Sequence, residues 1–215
     1  MISYDKRCIF IHIPKCGGTS IENIIWPNHE DRSEESLWMG FISKYHNKYQ
    51  TGGLQHLLAA QVMEEVGIGI FNSFYKFAIV RNPWDRIVSQ FAYMQVRPDL
   101  MEFLGMSPDT EFKSYLDLIQ TKQHVQWMQQ TCFILDQNRK LLVDKVGRME
   151  TFQRDCAEIL NRLGFADNQF NISHANRSKR KEIGFYYSDL ESIQMVADIY
   201  ADDIEFFGYE FDMLS

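Results

Sequence analysis

Cysteine is scarce in this chain and never arranged for metal. The four cysteines stand at positions 8, 16, 132 and 156, with no C-x-x-C pair. No cysteine and histidine group has zinc spacing, so zinc-ribbon and finger architectures are excluded, and the thiols read as reduced residues of a cytosolic protein. Long apolar runs are also missing. None approaches the ~18 residues of a membrane span, and Met1 to Arg7 has no long apolar core behind it, so neither a span nor a signal peptide is expected. Basic surplus is lacking too: 22 Lys and Arg face 29 Asp and Glu, a formal net charge of −7. A duplex nucleic-acid partner would call for the opposite balance. Internal repeats and low-complexity linkers are absent. No Gly-Lys dipeptide occurs, which removes the nucleotide-triphosphatase loop G-x-x-x-x-G-K-[ST].

What is present is apolar and patterned. Hydrophobic residues make up 45% of the 215, enough for a sizeable core, and the length suits one domain over 1–215. Residues 8–20 read Cys-Ile-Phe-Ile-His-Ile-Pro-Lys-Cys-Gly-Gly-Thr-Ser. An apolar β-rich run over 8–13 ends in Pro14-Lys15, two glycines follow, and Thr19 and Ser20 open a helix to Ile25. That order predicts a buried strand, a tight turn and a helix N-terminus, with bare N–H groups and one lysine offered to a phosphate-like anion.

Further along, Leu54 to Val66 reads as a helix closed by Gly67, and Phe74 to Val80 as a second buried strand. Asn82 suits an N-cap and Pro83 the first helical position, with Ile87, Val88, Phe91 and Met94 on one apolar face. Residues 97–108 are expected as loop, 109–121 and 123–130 as helices, Leu141 to Val146 as strand, and Thr151 to Leu163 as a helix stopped by Gly164. Ser188 to Glu191 has the form of a capping box before a last helix carrying Ile193, Val196, Tyr200 and Ile204. Strands alternating with helices predict an α/β fold: a P-loop-like central parallel β-sheet flanked by helices on both faces.

Two blocks together carry a family resemblance: Ile11-His12-Ile13-Pro14-Lys15-Cys16-Gly17-Gly18-Thr19-Ser20, and Phe77 to Ser89 with its Arg81-Asn82-Pro83-Trp84-Asp85-Arg86. The pair resembles sulfotransferases that use 3′-phosphoadenosine 5′-phosphosulfate (PAPS), most closely the carbohydrate-type, sulfotransferase family 2-like branch. The ending from Tyr200 to Tyr209 looks like that branch as well. The resemblance implies that Pro14, Lys15, Cys16, Gly17, Gly18, Thr19 and Ser20 hold the 5′-phosphosulfate. It implies that Arg81 and Ser89 hold the 3′-phosphate, and that Arg177, Lys179 and Arg180 close over the phosphates. The product would be adenosine 3′,5′-bisphosphate (PAP). The acceptor would be a hydroxyl, in a carbohydrate or glycosylated metabolite. A sulfuryl group carries less charge than a γ-phosphate, so no metal is required in principle.

Physical chemistry assigns roles within that frame. A dianionic phosphate calls for a forked cation such as Arg81. Lys15 can neutralise charge on the leaving oxygen. A base is needed for the acceptor proton, and His56 is the first choice; relatives place a catalytic histidine in a similar interval. His124 and Glu22 are the alternatives, although His124 reads more readily as a helix-surface residue. His12 reads as a buried, bonded histidine, and His29, His46 and His174 lie in polar loops. Arg86 is either a second phosphate contact or a helix-surface ion pair. Trp84 suits the core as well as an adenine. Cys16 stands where threonine is often found; its thiol is either activated near Lys15 or simply small enough to fit. Segments 28–53 and 95–130 are expected to shape the acceptor cleft. Two other readings stay open: a P-loop-like small-molecule kinase, and a nucleotide-binding module without turnover.

Overall fold

Cys8, Ile9, Phe10 and Ile11 are all fully buried, as a short apolar run must be when both faces of its sheet are covered. In the computed structural model, which describes residues 1–45, 53–165 and 180–212, this run is a strand of a four-stranded sheet. The strands are β1 (Ile2–Ser3), β2 (Cys8–Ile11), β3 (Tyr75–Val80) and β4 (Lys145–Arg148), in spatial order β1-β2-β3-β4. β1 pairs antiparallel to β2, while β2–β3 and β3–β4 are parallel. Phe10 lies opposite Phe77 across the central pair, and their rings stack with centroids 5.0 Å apart. Lys76, buried in β3, is neutralised by Asp144 at 2.8 Å.

The helices in chain order are α1 (Gly18–Ile25), α2 (Ala59–Val66), α3 (Ile68–Ser73), α4 (Pro83–Met94), α5 (Pro98–Leu104), α6 (Phe112–Thr121), α7 (Thr131–Ile134), α8 (Phe152–Arg162), α9 (Leu190–Ile199) and α10 (Ala201–Phe207). The chain gathers into two units, each built from two stretches: 1–80 with 130–176, and 81–129 with 177–215. The first contains the sheet with α1, α2, α3, α7 and α8. The second is helical. In it α4 packs against α9, α5 and a 3₁₀ turn at Val125–Trp127. Asn82 caps α4 by accepting the Trp84 N–H at 3.1 Å, with Pro83 in the first turn, as its sequence predicts. Tyr187 donates to the Trp84 carbonyl at 2.8 Å. Trp84 itself is buried, its Nε1–H bonded to Ile193 O at 3.0 Å, so it serves the core.

Several elements differ from the sequence expectation, each for a local reason. The helix expected over Leu54–Val66 is a 3₁₀ turn at Gly53–His56 followed by α2. Gln61 accepts the Leu58 N–H at 2.9 Å and so starts α2 afresh. The 97–108 loop contains α5, because Pro98 occupies a first-turn position where its missing N–H costs nothing. Of the helix expected over 123–130 only the Val125–Trp127 turn forms. The third parallel strand lies at Lys145–Arg148, later than expected; Leu141 makes only an isolated bridge to Leu135. Asp189, not Ser188, caps α9 and accepts the Ser192 N–H at 2.8 Å. The apolar periodicity then runs through a break at Tyr200. α3 and β1 were not expected at all.

The turn between β2 and α1 rests on one glycine. Gly17 has φ +77°, and a Cβ there would meet Met149 Sδ and Phe152 Cε2 at 2.9 Å each. Gly17→Ala therefore combines a left-handed alanine with an overlap, worth about 1–3 kcal/mol together. Thermal unfolding should show the melting temperature lowered by roughly 3–10 °C; an unchanged midpoint would mean that Met149 and Phe152 give way freely.

Candidate active site

The turn from His12 to Gly17 carries β2 into α1. Lys15 has φ +67°, a left-handed conformation that is uncommon for lysine. Gly17, also left-handed, is the N-cap of α1, and as a glycine it brings no side chain of its own to cap the helix. The Ser20 N–H turns back to Gly17 O at 3.2 Å; the N–H groups that open a helix before it have no partner within the helix, and such a start suits an external anion. Pro14, Cys16 and Gly18 are buried, Lys15, Gly17 and Ser20 are partly exposed, and Thr19 is exposed. Cys16 is not a surface thiol: its Sγ lies 3.3 Å from Gln130 Oε1 and 3.6 Å from Pro14 O. That side chain anchors the turn.

Three histidines are buried, and their partners distinguish them. His56 is buried, and its Nδ1 lies 3.0 Å from His12 O. A carbonyl oxygen only accepts, so Nδ1 carries the hydrogen and the lone pair sits on Nε2, the form a base requires. His124 is the reverse. Its Nδ1 accepts the Gln126 N–H at 3.1 Å, so in the neutral ring Nε2 carries the hydrogen and cannot take another. His124 is also buried against Trp127, with ring centroids 4.9 Å apart, as the cap of the 3₁₀ turn rather than a helix-surface residue. His12 is buried as expected; its Nδ1 lies 2.6 Å from Glu22 Oε1, and its ring centroid is 4.6 Å from that of His56.

Glu22 is thus committed to His12. Burial pushes its carboxyl up, but the bond and charge of His12, with Arg32 and the terminal ammonium, outweigh burial and hold it below the ordinary value. A carboxylate so stabilised is a weak base. Gly18 completes the arrangement: a Cβ there would lie 2.0 Å from His12 Nε2. The imidazole therefore sits directly against the first residue of α1.

The second unit holds a cationic cluster at the start of α4. Arg81, the residue after β3, donates through Nε to Asp85 Oδ2 at 2.6 Å, and its Nη2 lies 2.5 Å from the same oxygen. Arg180 pairs with the other carboxylate oxygen, Oδ1, and donates to the Asp85 carbonyl at 3.2 Å. Ser89, two turns into α4, is buried. Arg86 is not on the helix surface. It is buried and donates to Met128 O at 2.8 Å, which fixes α4 to the segment before Gln129. His29 is exposed. Arg177, Lys179, His46 and His174 lie outside the described residues.

Sequence reasoning missed Asp85, although its spacing of four from Arg81 on a helix start was a readable signal. It also missed Gln130, Met149 and Phe152, which support the turn from far along the chain and have no local signature. Among the described residues no helix is long and apolar enough to cross a membrane, and no group of three His, Cys, Asp or Glu is placed to hold a metal ion.

An uncharacterized protein of Archaeoglobus fulgidus is 24% identical over 109 residues, which is 51% of this chain and 83% of that protein. No solved structure matches. A sequence model described as "Sulfotransferase family" matches residues 1–210. The mainly parallel sheet with its lysine-bearing turn is the P-loop-like α/β fold that such a match requires. With nearly its full length covered by that match, the chain belongs to the sulfotransferase family.

Proposed function

We propose that this sulfotransferase uses PAPS as donor and sulfates the hydroxyl of a carbohydrate or glycosylated metabolite. The observation that carries the reading is the start of α1: a left-handed lysine, then a left-handed glycine at the N-cap, which lets the backbone come close to a ligand. The residues fit the donor in chemistry. The turn from Pro14 to Ser20 offers N–H groups and hydroxyls to a 5′-phosphosulfate. Arg81, Ser89 and Arg180, with Arg177 and Lys179, are assigned to the 3′-phosphate and its surroundings. When bound, the donor supplies a sulfuryl group already activated by its bridge to phosphate.

The chain's own residues then divide the work. His56 Nε2 takes the acceptor proton as the new O–S bond forms. The Lys15 ammonium offsets the charge left on the bridging oxygen as the old S–O bond breaks. His12 O fixes the tautomer of His56 and so acts through it. Positioning and electrostatics dominate, because a loose transition state leaves little covalent work to the protein. Segments 28–53 and 95–130 are assigned to the acceptor.

Incubation with radiolabelled donor and a panel of saccharides tests the reading directly: label should pass to an acceptor, and no transfer to any alcohol would refute it. In calorimetry PAP should bind far more tightly than adenosine 5′-monophosphate (AMP), since only PAP engages Arg81; equal affinities would remove Arg81 from the site. Lys15→Ala should lower turnover by ~100-fold or more with an unaltered circular dichroism spectrum. His56→Ala should abolish the acidic limb of the pH–rate profile, whereas a retained limb would return the role to another group.

A further inference from the structure

Asp85 holds two arginines at once, one on each carboxylate oxygen. All three side chains are largely shielded: 12% exposed for Arg81, 13% for Asp85 and 19% for Arg180. Arg180 is gripped twice, by the carboxylate and by the Asp85 carbonyl. Two guanidinium groups brought this near repel each other, and more strongly where water is excluded. A carboxylate between them removes that repulsion and leaves the trio with a net charge of one unit positive.

Local chain physics fixes the carboxylate. Asp85 stands in the first turn of α4, where a negative side chain is favoured by the helix end. The helix is pinned there by the Asn82 cap, by Asn82 Nδ2 donating to Glu210 O at 2.9 Å, and by the Tyr187 bond to Trp84 O. Asp85 is therefore a rigid post, and the two long side chains are what it positions.

We propose that Asp85 is a positioning residue that assembles Arg81 and Arg180 into one receptor for the 3′-phosphate before the nucleotide arrives, and so sets the preference for a 3′-phosphorylated nucleotide. This rests on the assignment of Arg81 and Arg180 to that phosphate made above. Receptors assembled beforehand bind more tightly because less side-chain freedom is lost on binding. The carboxylate itself opposes an incoming dianion, but two cations outnumber it, and each offers donors in a planar fork that suits phosphate.

The experiment is calorimetric titration of the wild type and Asp85→Asn with PAP and with AMP. Asp85→Asn should lose about tenfold in PAP affinity, on the order of a typical coupling between sites. AMP affinity should stay within about twofold, because a ligand without a 3′-phosphate does not use the pair. Asp85→Glu, which keeps the charge, should recover part of the PAP preference. Equal weakening of PAP and AMP would make Asp85 merely structural, and tighter PAP binding would make it a competitor of the phosphate; either overturns the proposal. Should Asp85→Asn fail to fold, Arg180→Ala carries the same test: a lost PAP preference supports the clamp and an unchanged one refutes it. A wild type that does not distinguish PAP from AMP would overturn the nucleotide assignment itself, and the proposal with it.

Discussion

The reversal of the chain between β2 and α1 is the constraint on which the candidate chemistry depends. A buried strand must end, turn and launch a helix within a few residues, and it does so through two left-handed positions, Lys15 and Gly17. Left-handed lysine is unfavourable by about 1 kcal/mol or more, so the surroundings must over-determine it. They do. Cys16 is tied to Gln130, Met149 and Phe152 close against Gly17, and His12 fills the space beside Gly18. The same packing puts a glycine at the α1 N-cap, where it supplies no side chain of its own.

Around that turn, hydrogen-bond direction does more than proximity. The His56 and His124 rings are both buried and both bonded through Nδ1. One faces an acceptor and the other a donor, and this alone gives the neutral rings opposite tautomers. His12 and Glu22 form a third arrangement, in which a buried carboxylate lies 2.6 Å from an imidazole nitrogen. In the helical unit the logic is electrostatic instead: Asp85 offsets two cations that would otherwise separate.

Much of this was legible in the residues. The strand at 8–11, the helix after Gly17, the strand at 75–80 and the Asn82-Pro83 start of α4 all follow from apolar runs, capping residues and proline geometry. The family follows from two blocks in order. What was not legible depends on distant partners or on backbone satisfaction. The break at Leu58 arises because Gln61 caps α2. The shift of the third parallel strand to Lys145–Arg148 puts half-buried and small residues where Leu141 and Leu142 had the stronger β character. Burial of Arg86 and His124 reflects tertiary packing that overrides the usual surface preference of charged and polar residues. Asp85 was hidden by its ordinariness, since an acidic residue in a first helical turn needs no special explanation.

The interleaving of the two units bears on how the protein is made. Synthesis from the N-terminus delivers β1, β2 and β3 early, but the parallel partner of β3 comes only with residues 145–148, after an entire helical stretch. Until then β3 exposes an unsatisfied edge, a surface prone to pair with other chains. The helical unit waits longer still, for α9 and α10. Neither half can be released early by truncation, and a nascent chain stalled before Lys145 would be a ready substrate for chaperones or aggregation.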